Sequence, residues 1–331
     1  MLSKRERLER TFAGEETDRV PVALWRHWPG DDQRAADLAA STLEFQRRYD
    51  WDFVKISPAS SFCLTDYGVQ DRWVGNLEGT REYTRHVVNR TLDWTALRVL
   101  DPRRGALGRQ LEATRLILDG LPEDVPAIHT IFSPLAQARH LVGAQEMLIE
   151  HIRTAPERVH TGLNIITEST LRFLSELGRT RLAGIYYAVQ LANYAFLTEE
   201  EYRTFGRPYD LRILEALSSK WWFNMLHLHG DELPMFDLFV DYPVQAINWH
   251  DCDAGPDLAT AKTRFSGAVC GGLSHWNPVH NGTPAEIREQ VLRALEQTGR
   301  RRFILSTGCV MMITTPWSNI RAIRESVEAS A

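Results

Sequence analysis

The sequence lacks several features that would place the protein in familiar functional classes. It has four cysteines in 331 residues and no Cys-x-x-Cys pair, so neither a disulfide framework nor a paired-thiol metal site is indicated. No apolar run approaches the ~20 residues that a membrane-spanning helix needs. The formal net charge of −5 offers no basic excess of the kind that nucleic-acid binding requires. We therefore expect neither a membrane nor a nucleic acid as partner.

Two further absences bear on nucleotide binding and on the cellular location of the protein. No strand-like segment is followed by a Gly-x-Gly-x-x-Gly or P-loop pattern, so the sequence does not support nucleotide binding. The first residues, 1–12, form a charged helical pattern without the apolar core of a secretory signal peptide. These features predict reduced cysteines and a cytoplasmic location.

Short β-branched or aromatic runs alternate with helix-period stretches along the whole chain. Eight runs are predicted strands: Val20–Trp25, Phe53–Ser57, Ala127–Phe132, Ala183–Val189, Phe223–His229, Ala246–Trp249, Ala268–Leu273 and Phe303–Ser306. Between and after them the pattern predicts helices, among them Pro134–Thr154, Glu199–Ser219 and Leu233–Phe239. Eight such alternations predict an α/β fold, a (β/α)₈ TIM barrel forming one domain over residues 1–331. An open doubly wound sheet is the alternative, because alternation alone does not demonstrate closure. The irregular stretch 60–102 is expected to be an insertion over the barrel mouth.

Histidines concentrate where the predicted strands end. Catalytic groups of such barrels lie at the carboxyl ends of the strands. Six of the eleven histidines fall there: His27, His129, His227, His229, His250 and His275. This placement favours a catalytic or metal site at the barrel mouth.

The sharpest pattern is His227-Leu228-His229, which ends the fifth predicted strand. Strand side chains alternate with a period of two, so both imidazoles point to the same side. Cys309 follows the eighth predicted strand and can reach the same space. Two imidazoles and a thiolate are three protein ligands for zinc, with a fourth position left for substrate. The alternative is that one histidine is a satisfied core residue and Cys309 a small buried apolar side chain.

Several segments resemble one family nearly from end to end. They include RERLERTFAGEETDRVPVALW, DWDFVKISP, IFSPLAQARHLVG, LTEEEYRTFGRPYDLRI and STGCVMMITTPWSNIRAIRESV. In this order and spacing they resemble the uroporphyrinogen decarboxylase superfamily, nearest its zinc-dependent cobalamin/coenzyme M methyltransferase branch. That branch binds zinc through a His-x-Cys pair after strand five and a distant Cys after strand eight. His227 matches the first ligand and Cys309 the last, while His229 stands where the family has its first Cys.

True uroporphyrinogen decarboxylases carry an arginine-rich RQAGR-like motif after strand one. This chain has WRHWPGDD there, with Arg26 alone in place of paired arginines. A substrate with eight carboxylates needs several fixed cations, because each buried carboxylate must be paired or hydrogen-bonded. Decarboxylation in the haem pathway is therefore not expected.

The resemblance implies a methyltransferase that moves a methyl group between a corrinoid and a small thiol or oxygen acceptor, or runs the reverse demethylation. The chain has no Asp-x-His-x-x-Gly corrinoid signature, so the corrinoid would come from a partner protein. A second imidazole in place of a thiolate leaves the zinc more positive, which lowers the pKa of a bound thiol or alcohol further but makes the anion less nucleophilic. The alternatives are a zinc-dependent decarboxylase or lyase of a small carboxylic acid, and a non-catalytic corrinoid or tetrapyrrole binder.

Further residues receive predicted roles around this metal site. The candidate catalytic residues are Glu232, Asp231 and His250, with the two acids orienting a zinc-binding histidine or accepting a proton. The candidate substrate-binding residues are Arg26, His27, Lys55, His129, Gln190 and His275. The oligomeric state is left open, a homodimer being one possibility.

Overall fold

Parallel strands organise the computed structural model, which describes residues 1–217, 220–230 and 232–328. One sheet contains, in spatial order, β1 Val54–Ile56, β4 Ala127–Phe132, β5 Gly184–Val189, β6 Met225–Leu228, β7 Ala246–Trp249, β8 Ala268–Leu273 and β9 Phe303–Thr307. Every neighbouring pair in it is parallel. A separate antiparallel hairpin consists of β2 Gln70–Arg72 and β3 Glu82–Arg85.

The segment Val20–Trp25, the first predicted strand, lies between the two edges of this sheet. Val22 forms a parallel bridge with Leu305 of β9, whose N–H donates to the Pro21 carbonyl at 2.9 Å. On the other side the Asp52 N–H donates to the Val22 carbonyl at 3.0 Å, just before β1 begins. Pro21 has no N–H, so this segment makes an isolated bridge rather than a ladder. It supplies the eighth position, and the predicted barrel is confirmed.

The helices follow the predicted order, but some of the long predicted helices are interrupted in the structure. They are α1 Lys4–Ala13, α2 Ala35–Tyr49, α3 Gly105–Gly120, α4 Pro134–Val142, α5 Gln145–Thr154, α6 Pro156–Leu177, α7 Glu199–Phe205, α8 Arg207–Leu217, α9 Leu258–Arg264, α10 Pro284–Thr298 and α11 Trp317–Glu328. The predicted helix Pro134–Thr154 is two helices, because Gly143 adopts a φ of 92° that ends α4.

Two other predicted helices also differ from the structure. Glu199–Ser219 divides at Gly206, and its last two residues lie outside the described part of the chain. The prediction of an α-helix at Leu233–Phe239 is wrong, because this segment forms only a 3₁₀ turn at Phe236–Phe239. None of the helices in the described ranges is long and apolar enough to cross a bilayer.

The predicted insertion contains the β2–β3 hairpin and short 3₁₀ turns. Its residues Glu78, Thr80, Arg81 and Tyr83 line the cavity at the carboxyl end of the barrel. Arg81 is held by Asp71 of the same hairpin, with Nε donating to Oδ1 at 2.5 Å. The insertion therefore forms part of the wall of the mouth, as the sequence predicts.

A buried ion network ties the opposite, amino end of the barrel together. The fully buried Asp52 accepts from Arg7 Nη1 at 2.7 Å, Arg19 Nη1 at 2.6 Å and the Val22 N–H at 2.7 Å. Arg7 also donates to Asp18, at 2.7 Å and 2.9 Å. These contacts connect α1, the segment Val20–Trp25 and the residue Asp52 just before β1. The network therefore stabilises the place where the barrel closes.

Candidate metal centre

His227 and His229 lie at the carboxyl end of β6, on the same side of the strand. His227 is buried and its ring stacks on Tyr186 of β5, with the centroids 5.2 Å apart. His229 is partly exposed where the chain leaves the sheet. Cys309 approaches both from beyond β9: its Sγ lies 3.9 Å from His227 Nε2 and 3.7 Å from His229 Nδ1. The structure thus brings the three predicted metal ligands together.

A fourth side chain joins them. His250, which directly follows β7, is buried, and its ring lies 5.9 Å from that of His227 and 5.2 Å from that of His229. One ligand atom from each of the four residues lies within 4.8 Å of the others. We call this set, His227, His229, His250 and Cys309, the four-donor cluster. The sequence predicted His250 as a catalytic residue rather than a ligand.

His250 also belongs to a second group. Its ligand atom lies within 4.8 Å of those of Asp253 and His275. The His275 ring is 5.5 Å from the His250 ring, and His275 Nε2 is 4.0 Å from Glu78 Oε1. His275 therefore lies behind the four-donor cluster as a neighbour of His250.

Asn248 sets the tautomer of His227. Its Nδ2 donates to the carbonyls of Cys270 at 2.9 Å and Thr307 at 3.1 Å, which can only accept, so Oδ1 must face the other way. That oxygen accepts from His227 Nδ1 at 2.7 Å and from the Tyr186 hydroxyl at 2.8 Å. With its proton on Nδ1, His227 presents the Nε2 lone pair to Cys309. A metal-binding histidine is commonly oriented in this way.

The loop that carries Cys309 lies directly on the end of β7. A Cβ at Gly308 would come within 2.8 Å of the Trp249 carbonyl oxygen and 2.9 Å of the His250 Cα, both backbone atoms. The Thr307 hydroxyl donates to the Cys309 carbonyl at 2.5 Å, which closes the turn. The Thr-Gly-Cys sequence therefore places the thiol beside the imidazoles.

Burial and neighbouring groups shift the protonation of the cluster toward its ligand form. Burial lowers the pKa of His227 to about 4, so its imidazole is neutral at physiological pH. Burial alone would raise the pKa of the Cys309 thiol, but its contacts with the three imidazoles outweigh that effect and hold the pKa well below the usual range. Neutral imidazoles and a thiolate are the forms that bind metals.

The donor set fits zinc in both chemistry and spacing. Tetrahedral zinc with ordinary Zn–S and Zn–N bonds separates a sulfur and a nitrogen ligand by about 3.6 Å. The corresponding separations here are 3.9 Å and 3.7 Å. Nitrogen and thiolate ligands are also those that zinc prefers over magnesium or calcium.

A cavity of about 280 Å³ opens beside the cluster at the barrel mouth. Among the predicted substrate-binding residues, His27, Lys55 and Gln190 line it. Burial lowers the pKa of Lys55 to about 7 and that of His27 to about 4. The Lys55 ammonium lies 4.4 Å from the Tyr186 ring and donates to Ser57 Oγ at 3.1 Å.

Other predicted site residues lie elsewhere. The Arg26 guanidinium covers the Trp28 ring, at 4.6 Å from its centroid, in a groove outside the barrel, so it does not line the cavity. His129 has the opposite strand parity from cavity-lining Thr130, and its ring packs between Phe62 and Phe173 of the outer layer. The Glu232 side chain is exposed and does not line the cavity. Asp231 lies outside the described residues.

The sequence reasoning missed several residues of this site. Asn248 could have been found, because it lies in β7 two positions before His250, which directly follows the strand, and a period of two places both side chains on one face. Arg139 and His140 of α4 line the cavity without a comparable signal, as does Tyr83 of the hairpin. Tyr83 stacks on His140 at 4.8 Å, and His140 Nε2 lies 3.1 Å from Gln190 Oε1.

Comparison with curated proteins points to methyltransferases. The chain is 22% identical to the methylcobamide:CoM methyltransferase MtbA of Methanosarcina acetivorans, over 97% of this chain and 96% of that protein. It is 21% identical to the protein of the same name from Methanosarcina mazei, with the same coverage.

Solved structures agree on the fold. A methyltransferase from Methanosarcina mazei superposes with a TM-score of 0.86 at 17% identity, covering 100% of this chain and 99% of that one. A B12-independent methionine synthase from Shewanella superposes with a TM-score of 0.52 at 13% identity, covering 94% and 92%. The family model of uroporphyrinogen decarboxylase matches residues 3–330. The resemblance stated from the sequence is confirmed: the chain belongs to the uroporphyrinogen decarboxylase family.

Proposed function

We propose that this protein transfers a methyl group between a corrinoid held by a partner protein and a small-molecule thiol or oxygen acceptor, or catalyses the reverse demethylation. The observation that carries the proposal is the convergence of His227, His229 and Cys309 beside a cavity at the barrel mouth. The names of the curated relatives, methylcobamide:CoM methyltransferases, support the same reaction class.

His227, His229 and Cys309 would hold zinc and leave its fourth position for the acceptor, with His250 beside that position. When bound, zinc would lower the pKa of a thiol or alcohol and so supply a nucleophile at neutral pH. Asn248 keeps the His227 Nε2 lone pair aimed into the cluster, and the Gly308 turn holds Cys309 against β7. Tyr83 and the neighbouring residues of the insertion form one wall of the cavity beside these donors.

The charge of the donor set affects the choice of acceptor. One thiolate and neutral imidazoles leave the zinc centre with a net positive charge, whereas a centre with two thiolates is neutral. We therefore expect a less basic nucleophile than a His/Cys/Cys centre would favour. Replacing His229 with cysteine should raise the nucleophilicity of a bound thiolate, provided that zinc still binds.

The test is methyl transfer from methylcobalamin to a panel of thiols. The change in the absorption spectrum of the cobalamin measures the reaction. The wild type should transfer methyl groups only when loaded with zinc, Cys309→Ala should be inactive, and His229→Cys should be faster with thiols. Zinc-loaded wild type and His229→Cys that are both inert to every acceptor would contradict methyl transfer.

A decarboxylase of a small acid is the second candidate, because Lys55 and Arg139 place two cationic side chains in the cavity wall. Such cations bind an acid whether or not it loses carbon dioxide. Zinc-dependent release of carbon dioxide from a small carboxylic acid, without methyl transfer, would move the assignment to this reaction.

A further inference from the structure

A second group of metal-binding side chains lies beside the four-donor cluster. His250, Asp253 and His275 each offer one ligand atom, and these atoms lie within 4.8 Å of one another. We call these three residues the second donor group. Two imidazoles and a carboxylate are a donor set that holds catalytic zinc and non-haem iron in other proteins. The zinc proposed above needs no ligand from His250, which can therefore serve this group.

The turn after β7 brings Asp253 next to His250. The Asp253 N–H donates to the His250 carbonyl at 3.0 Å. Between them, Asp251 anchors the turn on β8, because its Oδ2 accepts from the Gly272 N–H at 3.0 Å. A Cβ at Gly271 would collide with the Asp251 carboxylate, so glycine at this position lets the turn pack on β8. The turn therefore holds two of the three donors close together.

His275 comes from the neighbouring strand, two residues after the end of β8. Its ring lies 5.5 Å from the His250 ring, with the two planes nearly perpendicular at 85°. Its Nε2 lies 4.0 Å from Oε1 of Glu78, a residue of the insertion. A carboxylate beside a metal-binding histidine commonly orients the ring. The turn after β7, the end of β8 and the insertion therefore converge on the second donor group.

Burial and charge of these side chains suit a metal ion. His250 and His275 expose only 2% and 3% of their surface, whereas Asp253 is exposed. The surrounding protein therefore holds the imidazoles in place, while the exposed carboxylate gives an ion a path from solvent. Asp253 and the nearby Glu78 supply two negative charges, which equal the charge of a divalent cation.

We propose that His250, Asp253 and His275 bind a second metal ion, a divalent transition metal, which imidazole ligands favour over magnesium or calcium. The group has no thiolate and its carboxylate is exposed to water, so it binds more weakly than the zinc site. Protein purified without added metal therefore retains only the first ion. The second ion would hold the His250 ring beside the fourth position of the zinc. This last consequence rests on the proposed function, whereas the second metal site does not.

Titration of the zinc-loaded protein with Co²⁺ tests the site. A cobalt–thiolate bond gives a strong near-ultraviolet absorption band, whereas imidazole and carboxylate ligands do not. One Co²⁺ per chain should bind without this band and without release of zinc, as equilibrium dialysis and elemental analysis would measure. A protein that binds no Co²⁺, or that takes it up only by exchange for zinc with the thiolate band, would overturn the proposal.

Variants assign the ion to the second donor group. Asp253→Ala and His275→Ala should each weaken Co²⁺ binding about 100-fold or more and keep the zinc, since loss of an outer partner of a ligand already costs about 10–100-fold. Asp253 is exposed, so its variant serves if His275→Ala does not fold. His280→Gln, a change in the same loop outside both groups of donors, is the matched control and should bind Co²⁺ as the wild type does. Binding that is unchanged in both alanine variants would be adventitious and would overturn the proposal.

Two further variants separate this site from the zinc site. Cys309→Ala should lose zinc and still bind one Co²⁺ that depends on Asp253. His250→Ala should lose the Co²⁺ and keep the zinc. The reverse result in His250→Ala, loss of zinc with Co²⁺ retained, would place His250 in the zinc site and overturn the proposal. Asp253-dependent Co²⁺ binding by a protein that transfers no methyl group would support the second site and contradict only the proposed function.

Discussion

At the amino end of the barrel, the Asp52 carboxylate accepts from Arg7, Arg19 and the Val22 N–H, all within 2.7 Å. At the carboxyl end, three imidazoles and the Cys309 thiol converge with their ligand atoms within 4.8 Å. The first cluster pairs an anion with cations and completes its hydrogen bonds inside the protein. The second brings together electron-pair donors, which a metal cation would satisfy jointly. The difference supports a stabilising role for the first cluster and is consistent with the catalytic role proposed for the second, following the division of roles in such barrels.

The largest effect is expected from Cys309→Ala. Removing the thiolate takes away the anionic ligand, so zinc affinity should fall on the order of 10³-fold or more, while the metal-free fold should lose little stability. Cys270→Ala, a buried cysteine of β8 outside the cluster, is the matched control and should retain one zinc per chain. Elemental analysis and chelator competition measure both. Full zinc retention by Cys309→Ala would show that the carboxyl-end cluster is misassigned.

The opposite pattern is expected from Asp52→Ala. It leaves the Arg19 guanidinium without its anion and Arg7 with Asp18 alone, which should cost about 3–5 kcal/mol of unfolding free energy. Zinc bound per folded chain should not change. Glu328→Ala removes an exposed partner of Arg324 and should cost less than about 0.5 kcal/mol. Denaturant unfolding that gives equal costs for the two variants would remove the contrast between the barrel ends.

A third buried cluster sharpens the comparison, because its carboxylate accepts hydrogen bonds but, among the described residues, forms no salt bridge. Asp210 accepts from the hydroxyls of Tyr187, Tyr202 and Tyr242 at 2.7, 2.6 and 3.1 Å. Burial raises the pKa of Asp210 to about 6, against the opposing effect of these hydrogen bonds. The contribution of this group to stability is therefore complete below pH 4, its unfolded pKa, and is lost as the pH rises through about 6.

Asp210→Asn isolates that contribution. The stability of the wild type relative to this variant should fall by about 2 kcal/mol between pH 4 and pH 7, as denaturant unfolding at each pH would measure. A difference that stays constant or grows over this range would contradict the raised pKa.

Much of the fold could be predicted because periodicity and helix capping are local. β4, β7 and β8 have the predicted bounds, and Thr283 caps α10 through a reciprocal contact with Glu286, three residues along the chain. The weak pairing of Val20–Trp25 depends on Pro21 and on strands distant in sequence. The break at Gly143 depends on a positive φ inside an otherwise continuous helical pattern.

The candidate site divides in the same way. The period of two brings His227 and His229 to one face, and the placement of Cys309 follows from its position after the last strand. His129 misled the prediction, because a strand end carries side chains on both faces and only Thr130 and Phe132 face the cavity. Arg139 and Tyr83 reach the cavity from a helix and an insertion, and no local pattern predicts that approach.

The smallest effect expected, and the one that compares the two ends most directly, comes from two buried asparagines. Asn248 orients His227 at the carboxyl end, while Asn224, just before β6, accepts from the Ile185 N–H at 3.2 Å near the amino end. Alanine at either position leaves buried backbone groups without a partner and should cost about 1–3 kcal/mol of stability. Only Asn248→Ala frees the His227 ring to change tautomer and rotate, so only this variant should lose about 10–100-fold in zinc affinity. Zinc titration against a chelator, at matched fractions of folded protein, separates the two effects. Equal zinc affinities in the two variants would mean that Asn248 supports the barrel and does not position the ligand.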